Sequence, residues 1–136
     1  MSSYNSTTSN TTNSSTDINK KETDALIAAS KVNGTNVYNM QGESLGSIHD
    51  VMLGKRTGQV VYAVLSFGGF LGMGQNYHPV PWKKLTYSER FGGYMINLDK
   101  QQLEAAPAYG VSDSPDWSNN AYGNSVDKYY DGMPTT

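Results

Sequence analysis

The chain of 136 residues contains no cysteine. Disulfides, thiolate catalysis, cysteine-ligated zinc and iron–sulfur clusters are therefore excluded, and the composition fits a reducing compartment. Charge is also scarce, at 16% of the residues, with a formal net charge of −2. Because no segment of the sequence has the basic excess that binding a phosphate backbone requires, we predict no nucleic-acid partner.

Long apolar runs are missing as well. The longest lie near residues 60–65 and 67–73 and are far too short to cross a bilayer, so we predict no membrane insertion. The N-terminus shows no charged region followed by an apolar stretch, and we expect no secretory signal. Together with the lack of cysteine, these features predict a cytoplasmic protein.

Three segments differ in composition. Of the first 20 residues, 15 are Ser, Thr or Asn. Residues 1–23 cannot bury enough apolar surface to offset the entropy of ordering them, so we predict that they are disordered. Residues 24–110 are predicted to form the folded domain. Residues 111–136 form an acidic tail whose aromatic residues are Trp117, Tyr122, Tyr129 and Tyr130.

The tail has the spacing of a helix but not its composition. Val126, Tyr129 and Tyr130 fall on one helical face, whereas Gly123 and several asparagines disfavour a free helix. Two readings stay open: a solvated tail, or a tail that docks on the domain or on a neighbouring subunit. We expect it to order only against a surface.

The clearest strand covers residues 59–67. It is apolar on both faces, with Val61, Ala63 and Leu65 on one face and Tyr62 and Val64 on the other. Such a strand is usually covered on both faces. In a domain this small the core covers one face, and the tail, a loop or another chain must cover the second.

Several short strands at roughly ten-residue spacing predict a mainly β fold, a small antiparallel barrel. One short helix is predicted near the end of the domain. Asp99 is a good N-cap for residues 100–106, with Gln102 placed to complete a capping box.

Two features suggest contact surfaces. The glycine-rich loop after the central strand carries Phe70, Leu71 and Met73, which either form a contact surface or fold inward to plug one end of the barrel. Trp82 is either a core residue with a bonded indole N–H or an interface anchor.

No catalytic, cofactor or metal site is predicted. His49 and Asp50 are neighbours on a predicted strand, and regular alternation would point them to opposite faces. His78, next to Pro79, is predicted to be structural or surface-exposed. Two histidines without a carboxylate at ligand spacing are a weak metal signal unless the fold brings them together.

The domain resembles the PRC-barrel family, which is named after the cytoplasmic domain of the photosynthetic reaction-centre H subunit. The stretches that carry the resemblance are LGSIHDVML (45–53), GQVVYAV (58–64), GFLGMG (69–74), HPVPW (78–82), GGYMI (92–96) and QLEAAP (102–107). The tail, with Trp117, Tyr122-Gly123 and Tyr129-Tyr130, is similar to that of stand-alone bacterial members.

The resemblance implies a six-stranded, partly open β-barrel that serves in assembly. We therefore expect a non-enzymatic protein-interaction or assembly module that self-associates as a homo-oligomer or binds a protein partner. Its predicted contact residues are Phe70, Leu71, Met73, Trp82, Trp117, Tyr122, Tyr129 and Tyr130. The alternative that the resemblance leaves open is a regulator of electron or proton transfer like the H-subunit domain, for which a pocket lined by groups with perturbed pKa values would be the sign.

Overall fold

The computed structural model describes residues 22–68, 76–118 and 120–134. The chain divides into two compact units, Met1–Val32 and Asn33–Thr136. In the described part of the first unit, Glu22 and Ile27 form an isolated bridge, and helix α1 spans Ala29–Val32. The predicted disordered segment 1–23 lies almost wholly outside the described residues.

The second unit contains the sheet and two helices. Its seven strands are β1 (Asn36–Tyr38), β2 (Ser44–Leu53), β3 (Val60–Phe67), β4 (Asn76–Pro81), β5 (Thr86–Ser88), β6 (Gly93–Met95) and β7 (Tyr109–Gly110). A 3₁₀ helix spans Trp82–Lys84, helix α2 spans Lys100–Glu104 and helix α3 spans Asn120–Asp131. Over the described residues, none of the helices has the length and apolarity that crossing a membrane requires.

The strands form one sheet in the order β5-β6-β1-β2-β3-β4-β7. The prediction of a mainly β fold is confirmed, but that of a six-stranded antiparallel barrel is wrong for the described residues. Seven strands are present, β1 and β6 run parallel, and the edge strands β5 and β7 do not pair to close a barrel. The sequence missed β5 and β7 because strands of three and two residues are too short to show alternation.

Close backbone contact explains one glycine of β2. Gly46 has a φ of +139°, and a Cβ at this position would run into the carbonyl oxygen of Ser66 on β3. Only a residue without a side chain tolerates both the conformation and the contact. Gly46 therefore permits the tight approach of β2 to β3 at the centre of the sheet.

The two faces of β3 are both covered, as the sequence indicated. Ala63 and Leu65 are fully buried on one side, here called the inner face, opposite Val80 and His78 of β4. Val64, on the other side, is 2% exposed. This second side, the outer face, also carries Tyr62, Tyr77 and Pro79 according to the register of β3 and β4.

The predicted capping box of α2 is confirmed. The Asp99 side chain accepts a hydrogen bond from the backbone N–H of Gln102 at 2.8 Å, and the Gln102 side chain accepts one from the N–H of Asp99 at 2.9 Å. These two bonds satisfy donors that a helix start leaves unpaired. Leu103 anchors the helix in the core at 0% exposure.

Candidate functional site: the outer face of the sheet

Helix α3 of the tail packs on the outer face, in contact with β4. Val126, Tyr129 and Tyr130 share one face of this helix. Val126 and Tyr130 have 0% exposure, whereas Tyr129 is half-buried. Complete burial of a large apolar side chain contributes about 1.5–3 kcal/mol, which can offset the poor helix propensity of Gly123. The tail therefore supplies the second cover that a doubly apolar β3 requires.

Hydrogen bonds tie the helix to three parts of the domain. The Tyr62 hydroxyl on β3 donates to Asp127 Oδ1 at 2.9 Å. The Tyr129 hydroxyl donates to the Gln102 carbonyl of α2 at 2.6 Å. The third bond joins the Lys84 ammonium to the Met133 carbonyl at 2.8 Å, just past the end of α3. Because carbonyls at a helix end carry partial negative charge, a buried ammonium is well placed there.

A cluster of aromatic rings fills the contact between tail and sheet. The Trp117 ring lies 5.2 Å from the Tyr62 ring and 5.1 Å from the Tyr122 ring. Burial, reinforced by the Asp127 carboxylate, raises the pKa of Tyr62 to about 12, and burial likewise raises the pKa of Tyr122 to about 12. Both phenols stay protonated at neutral pH, so Tyr62 serves as a hydrogen-bond donor and Tyr122 as a packing group.

A β-bulge changes the orientation of two residues of β2. Ile48 pairs with Leu65 and Asp50 with Val64, so His49 is an extra residue in the ladder. The His49 ring is stacked on Tyr77 at 4.2 Å with an interplanar angle of 14°. The expectation that His49 and Asp50 point to opposite faces is therefore wrong, because a bulge interrupts the alternation on which it rested.

The bulge creates a second feature of the outer face, which we call the aromatic–acidic surface: His49, Asp50, Tyr77 and Tyr109. Tyr77 pairs with Tyr109 across β4 and β7, and their rings meet edge to face at 5.5 Å. Burial raises the pKa of Tyr109, and the charges of Asp50 and Tyr77 add to the rise. His49 and Asp50 are exposed, so an aromatic and an anionic group face solvent together.

The two histidines lie on opposite faces of the sheet. His78 follows Tyr77 directly and points to the inner face, where it is 2% exposed and meets the edge of Phe67 at 5.6 Å. Its Nδ1 has no hydrogen-bond partner among the described residues, and burial lowers its pKa from 6.5 to about 4. The structure thus does not bring His49 and His78 together, and the described residues contain no group of three potential metal ligands.

The structure places the predicted contact residues in two settings. One group belongs to the tail that packs on the domain: Trp117, Tyr122, Tyr129 and Tyr130. Trp82 is half-buried at the start of the 3₁₀ helix, with its ring 5.1 Å from the buried Tyr94. The remaining predicted contact residues, Phe70, Leu71 and Met73, lie outside the described residues.

The sequence did not reveal the residues that join the tail to the domain, nor Tyr109 of the surface beside the bulge. Tyr62 was visible as a polar-tipped aromatic on the second face of β3, which is a usual place for a phenol whose hydroxyl finds a partner. Lys84 and Asp127 gave no local signal, since each is defined by a partner more than 45 residues away in the chain. Tyr109 was not recognised as a strand residue because β7 is only two residues long.

An open groove lies between the end of α2 and helix α3. Its lining residues are Ala105, Pro107, Ser125, Lys128 and Tyr129. None of the groups whose pKa values are shifted, such as His78 and Tyr62, lines it. This groove therefore gives no support to a proton-handling site.

The protein is thus a small, mainly β module in which the C-terminal helix covers one face of the sheet. The family model of the PRC-barrel domain matches residues 24–103, more than half of the chain. The chain therefore belongs to the PRC-barrel family, a domain type found in interaction and assembly modules. Comparison with curated proteins gives no match.

Proposed function

We propose that this protein is a non-enzymatic interaction and assembly module that associates with copies of itself in the cytoplasm. The observation that carries the proposal is a pair of exposed apolar residues on adjoining strands, Leu53 at the end of β2 and Val61 near the start of β3. They are 53% and 46% exposed. Leu53 pairs with Val60, the residue before Val61, so both exposed side chains lie at the same end of the two strands. Exposed aliphatic side chains favour association, since burying them removes apolar area from water.

The outer face of β3 does not need a second chain for its cover. Val126 and Tyr130 of the tail already lie buried on that side of the sheet. A contact between copies therefore has to use a surface that the chain leaves exposed. Leu53 and Val61 meet this requirement.

The expected association is weak. Full burial of an aliphatic side chain contributes about 1.5–3 kcal/mol, and about half of each of these two side chains is exposed and available for burial. Two such residues from each copy supply only a few kcal/mol, against an entropy cost of association of at least about 4 kcal/mol. Self-association should then appear at high protein concentration and be sensitive to single substitutions.

Sedimentation velocity over a concentration series tests the proposal. The wild-type chain should shift from monomer to a larger species, and Leu53→Glu should abolish the shift without changing the melting temperature. Met40→Glu is the matched control, since Met40 is 46% exposed in the turn between β1 and β2. A wild-type chain that stays monomeric at the highest concentration, or equal effects of both substitutions, would contradict the proposal.

A further inference from the structure

We propose that the contact between copies is made by the tip of the β2–β3 hairpin, residues 53–61, of one copy and the aromatic–acidic surface of another. The inference rests on the proposed self-association and adds to it the two surfaces that meet. The hairpin tip is cationic and apolar, whereas the surface around Asp50 is anionic and aromatic.

The hairpin tip presents its cations on a defined turn. The N–H of Gly54 donates to the Gln59 carbonyl, and the N–H of Gly58 donates to the Gly54 carbonyl, both at 2.8 Å. Lys55 and Arg56 are exposed within this turn, and neither forms an ion pair with a described residue. Because the backbone is held, two positive charges project from a fixed position beside Leu53 and Val61.

The aromatic–acidic surface has the chemistry that receives a guanidinium or an ammonium. The exposed Asp50 carboxylate accepts one hydrogen bond, from the backbone N–H of Val51 at 2.9 Å, and no described basic side chain pairs with it. His49 stacked on Tyr77 offers a flat ring surface next to the carboxylate. A planar guanidinium stacks on aromatic rings and pairs with carboxylates at the same time.

The two surfaces of one copy cannot meet each other. Asp50 lies on β2, which runs directly into the hairpin turn, and the four residue steps from Asp50 to Gly54 span about 13 Å at roughly 3.3 Å each. The turn extends the strand away from Asp50, so it cannot fold back on it. Because each copy carries both surfaces, two copies in antiparallel orientation can make the contact twice and close a twofold dimer.

Charge reversal tests this inference on the full-length chain. Asp50→Lys alone and the double variant Lys55→Glu with Arg56→Glu should each associate at least about tenfold more weakly than wild type, since the reversed charges repel. An equimolar mixture of the two variants should associate again, because the reversed surface of one variant then faces the oppositely charged turn of the other. Raising the salt concentration should weaken the wild-type association, since exposed charges are screened.

Two exposed residues of α2 supply matched controls. Glu104→Lys changes the charge by as much as Asp50→Lys, and Lys100→Glu by half as much as the double variant. Both controls lie outside both surfaces and should leave association unchanged. If a reversal lowers the melting temperature, Asp50→Asn and Arg56→Gln replace it and should weaken association to a smaller extent.

Three outcomes are decisive. Loss in each variant with recovery in the mixture supports the inference. Wild-type association that neither variant weakens, or that the mixture does not restore, overturns the inference and leaves the proposed self-association standing. A wild-type chain that is monomeric at all concentrations overturns both.

Discussion

Acid should destabilise this protein through His78, the histidine buried on the inner face of the sheet. Burial lowers its pKa from 6.5 to about 4. The folded chain therefore keeps the imidazole neutral down to about pH 4, whereas the unfolded chain takes up a proton near pH 6.5. Between these values the unfolded state binds more protons, so the free energy of unfolding falls as the pH falls.

The size of the effect follows from the two pKa values. Their difference, 6.5 − 4, is 2.5, and each pH unit corresponds to about 1.4 kcal/mol. His78 alone should thus remove about 3 kcal/mol between pH 6.5 and pH 4, and it should contribute no further loss below that range. Since small domains have a total stability of about 5–15 kcal/mol, this loss is large enough to measure.

Urea denaturation at a series of pH values, compared between wild type and His78→Leu, measures the effect. Carboxyl groups titrate in the lower part of the range in both proteins, so the difference between the two slopes isolates His78. His49→Gln is the control, because it removes the imidazole that is exposed on the outer face. Parallel loss of stability in wild type and His78→Leu from pH 6.5 to pH 4 would refute the reasoning.

Three further predictions concern stability, each measured by the free energy of unfolding. Tyr130→Ala should lower the free energy of unfolding by about 3–5 kcal/mol, because it empties a fully buried site. Tyr130→Phe should raise it by about 1 kcal/mol, because the buried hydroxyl has no described partner. A lower stability of Tyr130→Phe would mean that the hydroxyl does form a hydrogen bond. A double-mutant cycle of Tyr62→Phe and Asp127→Asn should give a coupling of about 1.5 kcal/mol, and additive effects would argue against their hydrogen bond. Gly46→Ala should cost about 2 kcal/mol or more from strain and contact with the carbonyl of Ser66, whereas Gly132→Ala, which meets open space, is the control and should cost far less.

Local sequence signals predicted those parts of the fold that depend on near neighbours in the chain. The apolar run of residues 59–67 indicated a strand, and β3 occupies Val60–Phe67. Asp99 and Gln102 indicated a capping box, and both of its hydrogen bonds are present. Such signals work because alternation and capping involve residues that lie within a few positions of one another.

Features that depend on pairing between distant segments gave no such signal. The bulge at His49 arises from the register between β2 and β3, and the parallel pairing of β1 with β6 joins segments more than 50 residues apart. The expected regular alternation at His49 and the expected six-stranded antiparallel barrel were wrong for this reason. The aromatic–acidic surface was missed because it gathers residues from β2, β4 and β7.

The amino-acid sequence by itself determined that the chain is mainly β, that it cannot form disulfides and that its central strand needs cover on both faces, since composition and alternation are properties of the chain alone. Only the tertiary structure decided that the tail supplies this cover, that one histidine is buried while the other faces solvent, and that an anionic aromatic surface forms beside the bulge. Each of these depends on which distant segments meet and in what register, and free energies of packing and hydrogen bonding summed over the whole domain select that arrangement.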